Sequence, residues 1–155
     1  MYELSKSQYK TIWLSTKDAV ASGDRKTFTY NSLPLIKVIG EKNILKINSI
    51  TLSGAGLSSA SGHNWTIKIA RVKFNTSTYF NSDKNTTPTI AMINYDTNNS
   101  IQNGNLSLEI EKQDINEIIL QITAFTGTAQ EIGAIKSNQN IDFNIGLCIE
   151  EQFFN

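Results

Sequence analysis

Residues 141–150 read IDFNIGLCIE, and nowhere else in the chain is the alternation so strict. Ile141, Phe143, Ile145, Leu147 and Ile149 fall on one side of an extended backbone, with Asp142, Asn144, Gly146, Cys148 and Glu150 on the other. Side chains along a strand point alternately to its two faces, so this period demands a half-buried strand. One face is so apolar that a second layer must cover it.

The same period recurs upstream. Leu106, Leu108 and Ile110 alternate with Ser107, Glu109 and Glu111. Glu117 to Thr126 puts Ile118, Leu120, Ile122 and Ala124 on one face and Ile119 and Phe125 on the other, which predicts a strand covered on both sides. From Trp65 to Phe74 the apolar set begins as Trp65, Ile67 and Ile69, then slips to Val72 and Phe74, so a bulge is expected near Ala70 and Arg71. Further strands are expected over Thr27–Tyr30, Leu35–Ile39, Ile44–Leu52 and Thr89–Tyr95. NSDKNTTP and DTNNSIQNGN, rich in residues that tolerate tight turns, read as connections. About eight strands with no helix between them predict an all-β, antiparallel β-sandwich over residues 25–155.

Residues 1–24 have a different pattern. Tyr9, Ile12, Trp13 and Val20 recur at roughly helical spacing, Ser5 with Gln8 makes a capping box, and Gly23 is a stop signal. A short amphipathic helix is the first expectation. An extended arm that orders against a partner is the alternative, because Thr11, Ile12, Trp13 and Leu14 also suit a strand.

Composition narrows the function. A chain of 155 residues is the size of one domain, and 14 basic against 14 acidic residues leave no net charge with which to wrap nucleic acid. Nucleic acid is therefore not expected as the main partner. Cys148 is the only cysteine, so neither an intrachain disulfide nor a cysteine zinc site is available. MYELSKSQYK lacks the apolar core of a signal peptide, and no run is long enough for a membrane-spanning helix, so synthesis in the cytoplasm is expected.

Reactive constellations are scarce. TLSGAGLSSASGHNW (Thr51 to Trp65) carries Gly54 and Gly56 but has Ser59 where a dinucleotide fingerprint needs its third glycine, and it feeds WTIKI, a strand pattern, where a phosphate cradle feeds a helix. It reads as a loop. His63 is the only histidine and sits in that polar segment, which excludes a multi-histidine metal site, and no G-x-S-x-G elbow accompanies it. Glu109 and Glu111 share one strand face and read as a solvated pair. DTNNS (Asp96 to Ser100) opens like a calcium loop, but Ile101 stands where the glycine is needed and Ser107 where the closing glutamate is needed. No catalytic residue, cofactor or metal is assigned, and the protein is expected not to be an enzyme.

Aromatic residues remain. Trp65, Tyr79 and Tyr95 flank polar loops and could stack on a sugar, although a core position suits Trp65 better. Tyr9, Ile12, Trp13, Phe153 and Phe154 lie outside the obvious sandwich and are expected at an interface between copies. Deleting residues 1–22 or 152–155 is accordingly expected to spare the fold.

The pattern over Thr27 to Glu150, about eight strands joined by Asn-, Ser- and Thr-rich loops behind an amino-terminal arm, resembles the small single jelly-roll proteins of virus particles, capsid or penton-like. That resemblance implies a jelly-roll sandwich, self-assembly, other virion proteins as partners and location in a virion. The neutral charge suits a vertex or minor component. A carbohydrate-binding, lectin-like module for host attachment is the alternative for the same strand count.

Overall fold

The computed structural model describes residues 4–23, 26–54, 64–77, 87–96, 99–105, 107–125, 131–133 and 141–155. Its strands are β1 (Leu4–Ser15), β2 (Val20–Ala21), β3 (Thr27–Tyr30), β4 (Ile36–Val38), β5 (Lys42–Ser53), β6 (Asn64–Ala70), β7 (Thr89–Asp96), β8 (Asn99–Asn105), β9 (Leu108–Ile110), β10 (Gln113–Ile115), β11 (Ile118–Phe125), β12 (Glu131–Gly133) and β13 (Asp142–Phe154). A 3-10 turn, Thr16–Asp18, follows β1.

One sheet has the order β1-β13-β5-β9; the other runs β2-β3-β11-β6-β7-β8, with β12 also on β11; β4 and β10 form a separate two-stranded pair. All pairings are antiparallel. They are also nested. β1 pairs with β13, β3 with β11, β5 with β9 and β6 with β7, so strands from the two ends of the chain pair progressively inward. A long antiparallel ribbon folded across itself has this connectivity, and the folding then brings β13 against β5 and β11 against β6.

Alternation explains why the two layers close. Phe143, Ile145, Leu147 and Ile149 of β13 are wholly buried from one side, as are Trp65, Ile67 and Ile69 of β6 and Leu120 and Ile122 of β11 from the other. Trp65 and Phe143 meet edge to face across the layers, with ring centroids 5.7 Å apart at 72°. The antiparallel β-sandwich expected from the sequence is thus present.

Several local expectations are corrected. Residues 4–15 are a strand, not a helix: β1 lies along β13 from Leu4↔Phe154 to Ser15↔Asn144. Ile12 and Leu14 face the core while Tyr9 and Trp13 face outward, a period of two that tertiary pairing favours over the weak helical spacing. Phe153 and Phe154 likewise belong to β13, which continues past Glu150, and both are half-buried.

The slip after Ile69 is not a bulge at Ala70 and Arg71. β6 ends at Ala70, and Arg71 takes a left-handed backbone, φ 69°, that turns Val72 back into the core and lets Phe74 bridge to Ile110. Within β6 the register shift falls between Ile67 and Lys68. β11 is buried on one face only, since Ile119, Gln121 and Thr123 are partly exposed. DTNNSIQNGN, expected as a connection, includes β8, a largely polar strand that pairs with β7. The glycine-rich stretch does connect two strands, β5 and β6; it begins at Gly54, whose φ of 123° a side chain would strain. Residues 55–63, His63 among them, lie outside the described residues.

Candidate functional site

Two features of the four-stranded sheet stand out: the outer edge and face of β1, and a cleft at the end of that strand. β1 is twelve residues long and pairs only with β13, so its other edge carries unpaired backbone groups among the described strands. Natural sheets usually shorten or cover such an edge, because it is a template for another strand.

On the outward face, the Tyr9 hydroxyl donates to Glu150 Oε1 at 3.1 Å, and Lys46 Nζ reaches Glu150 Oε2 at 3.0 Å. The Lys46 bond holds the Glu150 carboxyl below its usual range, against the opposing effect of burial, and the same bond raises Lys46. Farther along, Gly146 is where the outer face lets an aromatic ring approach the backbone closely. A Cβ there would sit 2.9 Å from Trp13 Cζ3 and 2.8 Å from Ser49 Oγ. Trp13 rests on that glycine yet remains 70% exposed, and Tyr9 is 62% exposed. Cys148, beside them in the sheet, is a buried free thiol.

The inward face of the same strand is structural. Glu151 is wholly buried, accepts from Lys10 Nζ at 2.7 Å and from the Ile39 amide at 2.8 Å. Burial works against its charge, but the Lys10 ammonium and the amides of Ile39 and Gly40 prevail and keep its pKa low. Lys10 also donates to the Lys37 carbonyl, so this cluster ties β4 and the following loop to β1 and β13. Thr16 closes the other end, donating from Oγ1 to Asp142 Oδ1 at 2.9 Å while accepting from the Phe143 amide at 3.0 Å.

The cleft opens where β1 ends, between Trp13, the 3-10 turn and the segment after β3, and has a volume of about 230 Å³. Trp13 and Val20 are its exposed apolar walls, and Asp18, Thr29, Asn31 and Ser32 add polar groups. Ser15 and Tyr30 line it as well, and their hydroxyl oxygens are buried with no hydrogen-bond partner among the described residues. An unpaired buried hydroxyl costs about 1–3 kcal/mol. Burial chiefly, with the charges of Asp18 and Asp142 adding to it, drives the Tyr30 phenol well above its ordinary pKa, so it stays a neutral donor. A second, shallower cavity of about 220 Å³ lies between Lys42, Ile44 and the Ser107–Glu109 stretch.

The residues expected at an interface therefore separate. Tyr9 and Trp13 are exposed; Ile12, at 8% exposure, belongs to the core and is corrected to a packing residue. Phe153 lies under Lys6 Nζ, 5.2 Å from the ring centroid, and the Phe154 amide donates to Glu41 Oε1 at 3.3 Å. Of the sugar-stacking set, Trp65 is wholly buried and presents no face to a ligand, while Tyr79 and the side chain of Tyr95 lie outside the described residues. Asn31 and Ser32 carry no signal in the sequence; they fall between the strands expected over Thr27–Tyr30 and Leu35–Ile39. Glu109 is half-buried, with Asn75 Nδ2 at 3.3 Å from Oε1, and Glu111 is exposed. Among the described residues no group of three His, Cys, Asp or Glu side chains could hold a metal ion, and no helix is long and apolar enough to cross a membrane. The sequence matches no protein-family model and no curated protein.

Proposed function

We propose that this protein is a non-enzymatic structural subunit of jelly-roll type that assembles with copies of itself, as a capsid, vertex or minor component of a virion. The jelly-roll reading is supported by the nested pairing, first strand with last and so inward, which distributes a folded ribbon over two sheets. The observation that carries self-assembly is β1: a twelve-residue strand with one edge unpaired among the described strands and with exposed Tyr9 and Thr11 on its outward face. Antiparallel pairing of β1 with its counterpart in another copy satisfies those backbone groups on both chains at once, and a two-fold axis repeats each contact. The zero net charge fits a subunit whose contacts are with protein and not with a genome.

The measurement is mass in solution, by light scattering or native mass spectrometry, on wild type and Thr11→Lys. Thr11 is exposed, so the lysine blunts the edge without entering the core. A discrete oligomer that dissociates in the variant is expected. A wild-type protein that remains monomeric at high concentration overturns the reading.

A further inference from the structure

The cleft at the end of β1 contains more polar chemistry than packing requires. We infer that this cleft binds a neutral sugar ring, with Trp13 as the stacking plate and Tyr30 as a buried hydrogen-bond donor. Three observations carry the inference. The indole of Trp13 packs against Gly146 while the residue stays 70% exposed, and Val20, 64% exposed, provides a second apolar wall. Such apolar surfaces match the C–H faces of a pyranose, while Asp18, Asn31 and Ser32 offer a carboxylate, an amide and a hydroxyl to its rim.

Tyr30 is the second observation. It is 7% exposed, it lines the cleft, and its hydroxyl has no partner among the described residues. Ser15 Oγ, also in the lining, is in the same condition. Two hydroxyls with no partner among the described residues, on side chains that line an open polar cleft, fit a site whose hydrogen bonds are completed by a ligand.

Size and charge select the class. A volume of about 230 Å³ is below the roughly 300–1,000 Å³ of sites for drug-sized molecules, which leaves room for a single ring. Among the described residues no lysine or arginine lines the cleft to pair with a phosphate or sulfate, and Asp18 is the one carboxylate, too few for a metal ion.

The test is titration of the full chain with methyl glycosides of glucose, galactose, mannose, fucose and N-acetylglucosamine, read by tryptophan fluorescence. Trp65 is sealed in the core, so a ligand-dependent change reports Trp13. At least one glycoside is expected to saturate the signal. In Tyr30→Phe, whose shape is conserved, affinity read by ligand-observed NMR should fall about tenfold, equivalent to about 1.4 kcal/mol, while the melting temperature stays level or rises. Trp13→Ala should lose binding by the same NMR measurement with its near-ultraviolet circular dichroism otherwise folded. The inference is overturned if no glycoside binds, or if Tyr30→Phe or Trp13→Ala binds as tightly as wild type. Tyr30→Phe leaves the exposed Tyr9 and Thr11 of β1 unchanged, so a fall in sugar affinity at unaltered solution mass separates this inference from the self-assembly reading.

Discussion

β1 and β13 lie side by side in one sheet, in a single unbroken register from Lys6↔Phe153 to Ser15↔Asn144, yet they differ in almost every physical respect. β13 has neighbours on both edges, and its inward residues Phe143, Ile145, Leu147 and Ile149 are wholly buried. β1 has one neighbour among the described strands, and of its described side chains Ile12 and Leu14 are the buried ones. A central strand must satisfy backbone and side chains in all directions, so its composition is tightly determined. An edge strand answers to one neighbour, and what remains free is available for a partner.

The largest test of that contrast removes the edge altogether. Deleting residues 1–22 takes Ile12, Leu14 and the Thr16 link to Asp142 out of the sandwich and uncovers β13. We expect loss of the cooperative thermal transition by circular dichroism, contrary to the expectation from sequence that this segment is dispensable. A truncated chain that melts like the intact one would show that β1 is an appendage.

Within the intact protein the central strand should dominate. Phe143→Ala removes half of the aromatic contact with Trp65 and is expected to cost about 3–5 kcal/mol in urea denaturation. Asn144→Ala, next to it on the outward face, should cost far less. Ile12→Ala on the edge strand should come near the lower end, about 2 kcal/mol, because the site borders an edge that can relax. Equal losses at positions 12 and 143 would erase the distinction between the strands.

Acid tests the link between them. The folded state depresses Glu151 below its ordinary 4.5, so the stabilisation is present above that value and is lost as pH falls through the lower folded one. Glu150 acts in the same direction. Stability should therefore be level from neutral pH down to about 5 and fall below about 4. Glu151→Gln should flatten part of that fall and, at neutral pH, cost about 1.5 kcal/mol as a charge-assisted hydrogen bond is weakened. Smallest of all, Trp13→Ala should change stability by no more than about 0.5 kcal/mol, since the ring rests on the surface. A larger loss would make Trp13 a packing residue and weaken its role at the cleft.

Legibility followed burial. β3, β5, β7, β9, β11 and β13 were anticipated in place because each carries apolar side chains every second residue, and that period has no other physical solution in a chain of this length. β8 escaped notice because its residues, NSIQNGN, read as a turn when nothing shows that β7 lies alongside. The candidate cleft was less legible than the fold. Trp13, Asp18 and Tyr30 come from three different elements, and no spacing in the chain announces that they share a wall.

What the amino-acid order determined by itself was the class: alternation at period two, a neutral surface and glycine- and asparagine-rich connections leave an all-β sandwich and little else. Which strands would be neighbours was decided only in three dimensions. The nested pairing joins residues 4–15 to 142–154, so the partner that turns a weakly helical amino terminus into a strand lies at the far end of the chain. Local preferences extend over a few residues and differ by less than about 1 kcal/mol per residue, whereas pairing with β13 and burial of Ile12 and Leu14 act together over the whole of β1. The two tryptophans show the same division. Sequence favoured a core position for Trp65, and it is wholly buried; it set Trp13 outside the sandwich, and the fold places it in β1, exposed over Gly146.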